Sequence, residues 1–513
     1  MLKINLNLKK IFAIITLIAV TLAVLTACGG DNSGENPNGL NNNDPGENPD
    51  GENAGNDGGE NAGEERIYPD LPAVDFGGYE FTFLTRDWES VVDWEEWNHR
   101  DLYAEQLNGD NLNDVVYNRN KKIEEKYNIT INEVGVEDRN GVIRRTVRSG
   151  DDDYDVVSVH LMDVAALAQD GTITDILKVP NLDFDKPWWN SNTIRDLSVG
   201  GRLFVMQGDL LILHNDAMEA MIFNKSVLQN NGLESPYDIV KSGEWTFEKL
   251  YDMSRGVSKD LNGDGRMYIL DDLFGVILQA DTDISFLVSG GAKIASKDEN
   301  DMPVITYGSE RIYRITDEIM RLMLDEENVL NLHRYNGQFG IYDEQVKMFS
   351  EDRALFSWIR MRIVERLRGM ETDFGLLPLP KLDAAQPDYV THMNPHTGAG
   401  VSIPATAGNL ERTGMILEDL AAESRYTLQP AYYELNLEGK FFRDPESREM
   451  LDIILKNTAY DIGYIYNFGN FAYTIVYYGM NRNINHASQF ERMEPRMQTD
   501  IERTIEAYEN IAD

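Results

Sequence analysis

The sequence predicts an α/β protein built as two large lobes. Two observations carry this. Short apolar or alternating runs near 79–84, 129–131 and 154–159 are separated by helix-periodic segments, the pattern of a sheet covered by helices. The stretch from about Ile67 to Asp513 is too long for one ordinary hydrophobic core.

The elements follow in order. Lys3, Lys9 and Lys10 precede an apolar run from Ile11 to Leu25, which ends at Leu25-Thr26-Ala27-Cys28. Charge, a short hydrophobic core and small residues at a cut site are the parts of a secretory signal over residues 1–27. The run is shorter than the ~20 residues a membrane span needs. Leu-Thr-Ala-Cys resembles a bacterial lipobox, which implies cleavage before Cys28 and acylation of its thiol; two or more acyl chains hold a protein at a membrane. The plainer alternatives are a buried thiol or an uncleaved anchor.

Residues 28–66 read as a tether. Asn, Gly and acidic residues dominate it, Gly-Glu-Asn recurs at Gly34, Gly46, Gly51 and Gly59, and Leu40 is its one large apolar side chain before Ile67. Such a segment cannot bury enough apolar area to offset its ordering entropy, so disorder is expected.

The formal net charge is −40, and −43 (−40 − 3) once residues 1–27, with three lysines and no acid, are removed. This balance repels nucleic acid and anionic lipid head groups, and excludes nucleic-acid binding. With Cys28 the only cysteine, internal disulfides are excluded.

In the body, Gly78–Leu84 alternates as a first strand. Leu112, Val115, Val116, Ile123 and Tyr127 fall at helical spacing between charged residues, predicting an amphipathic helix over 111–127. Ile129–Ile131 reads as strand two and Tyr154–Val159 as a buried strand three, followed by a helix over 162–169 that stops at Gly171. Ligands of such sheets sit beyond the carboxyl ends of strands, which points at Ser158–Leu161.

Asp260-Leu261-Asn262-Gly263-Asp264-Gly265, with Arg266 and Asp271, sets oxygen ligands at loop positions 1, 3, 5, 7 (a backbone carbonyl) and 12, with Gly at 6. That spacing suits a structural Ca²⁺ held by Asp260, Asn262, Asp264, Arg266 and Asp271. Tyr268 at position 9, Asp rather than Glu at 12, and a strand-like Phe274–Ile277 depart from an EF-hand, and an Asx-rich surface turn is the alternative.

Several segments together carry a resemblance. They are Tyr154-Asp155-Val156-Val157, Leu167–Gly171, Lys186-Pro187-Trp188-Trp189, Met221–Lys225, Gly243-Glu244-Trp245-Thr246-Phe247, Phe374–Lys381 and Gly400–Pro404. In this order, behind a lipobox, the chain resembles the extracellular solute-binding proteins (family 1) of bacterial ABC importers, over most of residues 75–513. The resemblance implies a periplasmic-binding-protein-like fold: two α/β lobes joined by a hinge, with a ligand cleft between them. Lobe one would span 75–217 plus 400–430, and lobe two 222–395 plus 435–513. Crossings would fall near Asn215–Phe223, Gly398–Ile403 and Thr427–Glu434.

It further implies a carbohydrate ligand, an ABC permease as partner, and a monomer anchored by lipid on the extracellular face of the cytoplasmic membrane. The ligand-contacting positions it suggests are His160, Asp216, Gln279, Asp281, Trp358, Arg360, Tyr432, Tyr433, Tyr466 and Phe468. Trp188 and Trp189 are better suited to packing. Catalysis is not expected, and neither is an organic cofactor. The chain shows no Gly-x-Ser-x-Gly elbow, His-Glu-x-x-His or Walker loop. His392 and His396 are four apart, but Asn394-Pro395 between them opposes a metal-binding helix. A surface sugar-binding adhesin or sensor, and a secreted carbohydrate-active enzyme, remain the alternatives.

Overall fold

The computed structural model describes residues 66–87, 100–437, 444–481 and 485–511. The signal, Cys28 and the tether to residue 65 lie outside them. Two open sheets organise the body. The first has strand order β12-β3-β1-β2, from β1 (Tyr79–Arg86), β2 (Ile129–Val136), β3 (Val156–His160) and β12 (Ala399–Ser402). Here β1 lies parallel to β2 and β3, and β12 runs antiparallel to β3. The second has order β10-β4-β9-β5-β8, from β4 (Glu219–Asn224), β5 (Phe274–Leu278), β8 (Val329–Asn331), β9 (Ala354–Arg360) and β10 (Phe374–Leu377). In it β4 runs antiparallel to β9 and β10, while β5 is parallel to β8 and β9. Two short pairs complete the strands: β6 (Ala295–Lys297) with β7 (Pro303–Ile305), and β11 (Thr391–His392) with β13 (Thr458–Ala459).

The helices form where the sequence stops and starts them. Asn111–Tyr127 begins at Asp110, whose carboxylate accepts the Asn113 amide at 3.1 Å, and ends at Asn128 in the left-handed region. Its buried stripe is Leu112, Val116, Ile123 and Tyr127. The helix that follows β5, Thr282–Ser289, starts where the Thr282 hydroxyl accepts the Gln279 amide at 3.0 Å.

Two stretches of chain pass between the sheets. One enters β4 through Ala217 and Met218; the other leaves β11 through Met393 and enters β12 at Ala399. Met218 and Met393 form an antiparallel bridge, so the two crossings run side by side. The second enters a tight place in β12: a Cβ on Gly400 would sit 2.3 Å from Val205 Cγ2 and 2.9 Å from the Met206 carbonyl, so only glycine fits. Thr427–Glu434 is not a crossing strand. Pro430 falls in the first turn of a helix, Leu428–Leu437, where its missing N–H costs nothing, and that helix packs on Asn111–Tyr127. The last helix, His486–Glu509, touches both Leu161–Gln169 beside the first sheet and Glu310–Leu324 beside the second. Among the described residues no helix is long and apolar enough to cross a membrane.

Candidate binding site

The register brings one edge of each sheet to the crossings. On the second sheet, Arg360 ends β9 opposite Glu219, which starts β4. Beside them β5 runs out into Gln279, Ala280 and Asp281, and β8 into His333. On the first sheet, His160 ends β3 opposite Ala399, which starts β12. The second crossing closes the gap, because His160 Nε2 contacts the His396 carbonyl. His160, Asp281, His333 and His396 are all half-buried, and Tyr473 beside His396 is 45% exposed.

An ion pair is central here. Arg360 donates to Asp281 Oδ2 at 2.7 Å, and its guanidinium lies 5.9 Å from the Trp358 ring and 5.7 Å from Tyr342. Burial alone would raise the Asp281 carboxyl, but Arg360, with His333 and His396, outweighs it and holds the group below the ordinary range. Burial pulls His333 and His396 down, against the attraction of Asp281. The edge therefore presents an ionised acceptor, a committed guanidinium and imidazoles that favour the neutral form, a set suited to hydroxyl groups rather than to a net charge.

Not every position singled out from the sequence faces this gap. Gln279 turns its amide away, donating to Gln345 at 2.7 Å. Trp358 is 1% exposed beneath Arg360, and its indole N–H makes no hydrogen bond within the described residues. Asp216 and Tyr432 meet on the first crossing, where the Tyr432 hydroxyl donates to Asp216 at 3.0 Å and Arg100 and Arg362 approach at 3.2 and 3.1 Å. Tyr433 is half-buried against the core. Tyr466 hydrogen bonds Tyr508 at 2.7 Å, and Phe468, fully buried, packs by the His486–Glu509 helix. Trp188 and Trp189 are core residues whose indoles donate to Glu418 at 3.1 and 2.7 Å.

Sequence reasoning missed Glu219, Asn394, His392 as a structural group, and Ser285. One signal was available: Glu219 is an acid inside the otherwise apolar run Met218–Phe223, and acids are almost never fully buried unless paired.

In the Asp260 loop, both Asp260 oxygens accept backbone amides, from Gly263 and Gly265 at 2.7 Å each. Asp272, not Asp271, closes the turn by accepting the Leu261 and Tyr268 amides. Among the described residues no group of three or more His, Cys, Asp or Glu converges as metal ligands.

Two-lobe solute-binding proteins share this architecture. UspC of M. tuberculosis aligns with TM-score 0.54 at 11% identity, over 82% of this chain and all (100%) of its own. A sugar transporter protein from Rhizobium etli, in an open conformation, aligns with TM-score 0.52 at 11% identity, over 85% of this chain and 100% of its own. The ABC substrate-binding protein Lmo0181 of Listeria monocytogenes, in complex with cycloalternan, gives TM-score 0.51 at 10% identity, over 83% and 99%. No family model and no curated protein matches the sequence. The fold is thus that of the two-lobe periplasmic-binding-protein class.

Proposed function

We propose that the chain is a solute receptor that binds a neutral carbohydrate between its lobes and delivers it to an ABC import permease without chemical turnover. The observation that carries this reading is the convergence of polar groups from both sheets at the crossings: half-buried His160 from one, half-buried Asp281 with the buried Arg360 from the other, half-buried His396 between them. A ligand held by groups on both edges binds the closed arrangement better than the open one, so it shifts the lobes toward closure. The shared fold supports the reading, as do two of the aligned proteins, the Rhizobium etli sugar transporter protein and the Listeria protein solved with cycloalternan. The neutral Asp281–Arg360 pair favours a polyhydroxyl ligand over a charged one.

The lipobox-like sequence at Cys28 supports anchorage on the outer face of the cytoplasmic membrane, with residues 28–66 as the tether. Tethering raises the receptor's effective concentration at its permease. Cys28→Ala should abolish labelling by a radioactive fatty acid and leave ligand binding in solution unchanged. The solute class is tested by melting the protein with a panel of neutral oligosaccharides. A true ligand at 100 times its Kd stabilises by about 2.7 kcal/mol. Sugar consumed during incubation would favour the enzyme reading instead.

A further inference from the structure

Glu219 is 0% exposed, and it sits where the two crossings meet. Three groups from separate parts of the fold donate to it. Ser285 Oγ, in the Thr282–Ser289 helix, binds Oε2 and also lies 2.9 Å from the Asp281 carbonyl. His392 Nδ1, at the end of β11, binds the same oxygen at 2.7 Å. Asn394 Nδ2, on the second crossing, binds Oε1 at 2.8 Å. The His392 ring stacks on Tyr464 at 5.8 Å, and its Nε2 makes no hydrogen bond within the described residues, so its polar commitment is to Glu219.

Asn394 connects this buried carboxylate to the gap. The same Nδ2 lies 3.5 Å from Asp281 Oδ2, the oxygen that receives Arg360 at 2.7 Å. Its Oδ1 accepts the His396 amide at 2.9 Å. One amide group therefore serves two carboxylates, one wholly buried and one at the edge, and also sets the backbone of His396.

We propose that Glu219 is a positioning residue for the binding cleft: through Asn394 it fixes the orientation of the Asp281–Arg360 pair and of His396, and so sets ligand affinity from beneath the crossings. The ligand arm of this proposal rests on the solute-binding reading; the positioning arm does not. A carboxylate held by three directional donors has little freedom, and a hydrogen-bond chain built on it transmits that order to the exposed end. A merely structural Glu219 would support the crossings without specifying the pair.

The test uses full-length protein without ligand first, reading the indole ¹⁵N–¹H resonance of Trp358, assigned with W358F, because Arg360 lies over that ring. Glu219→Gln and Asn394→Ala should both shift it. Ser285→Ala, which removes one donor and is the mildest variant, should shift it less in the same direction. Asn224→Ala, at the far end of β4 with its amide on Asp352, should lower the melting temperature and leave the resonance in place. Calorimetry with maltotetraose as probe should then show Glu219→Gln and Asn394→Ala binding at least about tenfold more weakly, about 1.4 kcal/mol, and Asn224→Ala binding as the parent does. A Trp358 resonance unmoved in folded Glu219→Gln and Ser285→Ala, or moved equally by Asn224→Ala, overturns the proposal. If no oligosaccharide binds the parent protein, the solute reading fails, while the indole shifts still decide the positioning role.

Discussion

Asp216 and Glu219 are three residues apart on the first crossing, and the protein satisfies their charges in opposite ways. Asp216 meets two guanidinium groups, Arg100 at 3.2 Å and Arg362 at 3.1 Å, plus the Tyr432 hydroxyl. Arg100 also reaches Glu365 at 2.6 Å, and the side chains of Arg100, Arg362 and Glu365 keep 19–26% exposure. Burial opposes the charge on Arg100, but Asp216 and Glu365 outweigh it and keep it ionised. Glu219, by contrast, is out of reach of water and is held by a hydroxyl, an amide and an imidazole. The first arrangement is a part-buried charge cluster whose arginines and Glu365 still reach water, and so salt, around a buried Asp216. The second is a fixed, directional node. Under the proposed lobe closure, crossings that bend and yet present a defined site have use for both.

Removal of each carboxylate breaks or sharpens this contrast. Glu219→Ala strands three buried donors and should cost about 3–5 kcal/mol in urea unfolding. Asp216→Asn should cost about 1–2 kcal/mol, because Glu365 and water still serve the arginines. Only the second loss should shrink as salt rises from 0.05 to 0.5 M, concentrations of roughly physiological order on either side. Equal losses with equal salt response would erase the distinction.

The pH response of the same crossing is next in size. His214, buried two residues before Asp216, is pushed down to about 4 by burial, in spite of Asp101 and Asp216. A histidine depressed on folding binds fewer protons in the native state than in the unfolded one. Its contribution is fully present above pH 6.5, the unfolded value, and is lost as pH falls toward 4. The loss should reach about 3 kcal/mol, and His214→Gln should flatten the profile in that window.

A smaller effect should come from Asp283, beside Asp281. It is 1% exposed, neither oxygen has a hydrogen bond within the described residues, and burial followed by the charge of Asp281 raises it well above the carboxylate range. A raised carboxyl loses stability as pH climbs above its unfolded value, so Asp283→Asn should stabilise by about 1 kcal/mol at pH 8 and by less at pH 4. The smallest expected change concerns the Asp260 loop. If it holds Ca²⁺, as its ligand spacing proposes, chelation should lower the melting temperature by about 2–4 °C and Asp264→Ala should abolish that response. An unchanged melting curve identifies a plain turn.

Much of the frame was legible in the residues because it rests on periodicity. The Asn111–Tyr127 helix and the buried β3 follow from apolar spacing. Asp281 and Arg360 were reached through the family resemblance, Asp281 after a strand and Arg360 beside Trp358. The Glu219 node was not, because its partners lie 66, 173 and 175 residues away and only the tertiary register of β4 against β9 and the Met218–Met393 bridge unites them. Trp358 shows the opposite failure. A Trp near the end of a strand suits sugar stacking in sequence, yet here Arg360, two residues on along the same face of β9, lies over the ring and leaves it 1% exposed, a covering that only the folded strand end reveals.

The central claim is that the edge formed by Asp281, Arg360, His160 and His396 binds a neutral carbohydrate. Titration calorimetry of the intact protein against the oligosaccharide panel, repeated with Asp281→Asn, tests it most directly. The account predicts saturable binding of at least one sugar without turnover, weakened about tenfold or more when Asp281 loses its charge, near 1.4 kcal/mol. Sugar binding that Asp281→Asn leaves untouched, or no binding across the panel, would contradict it.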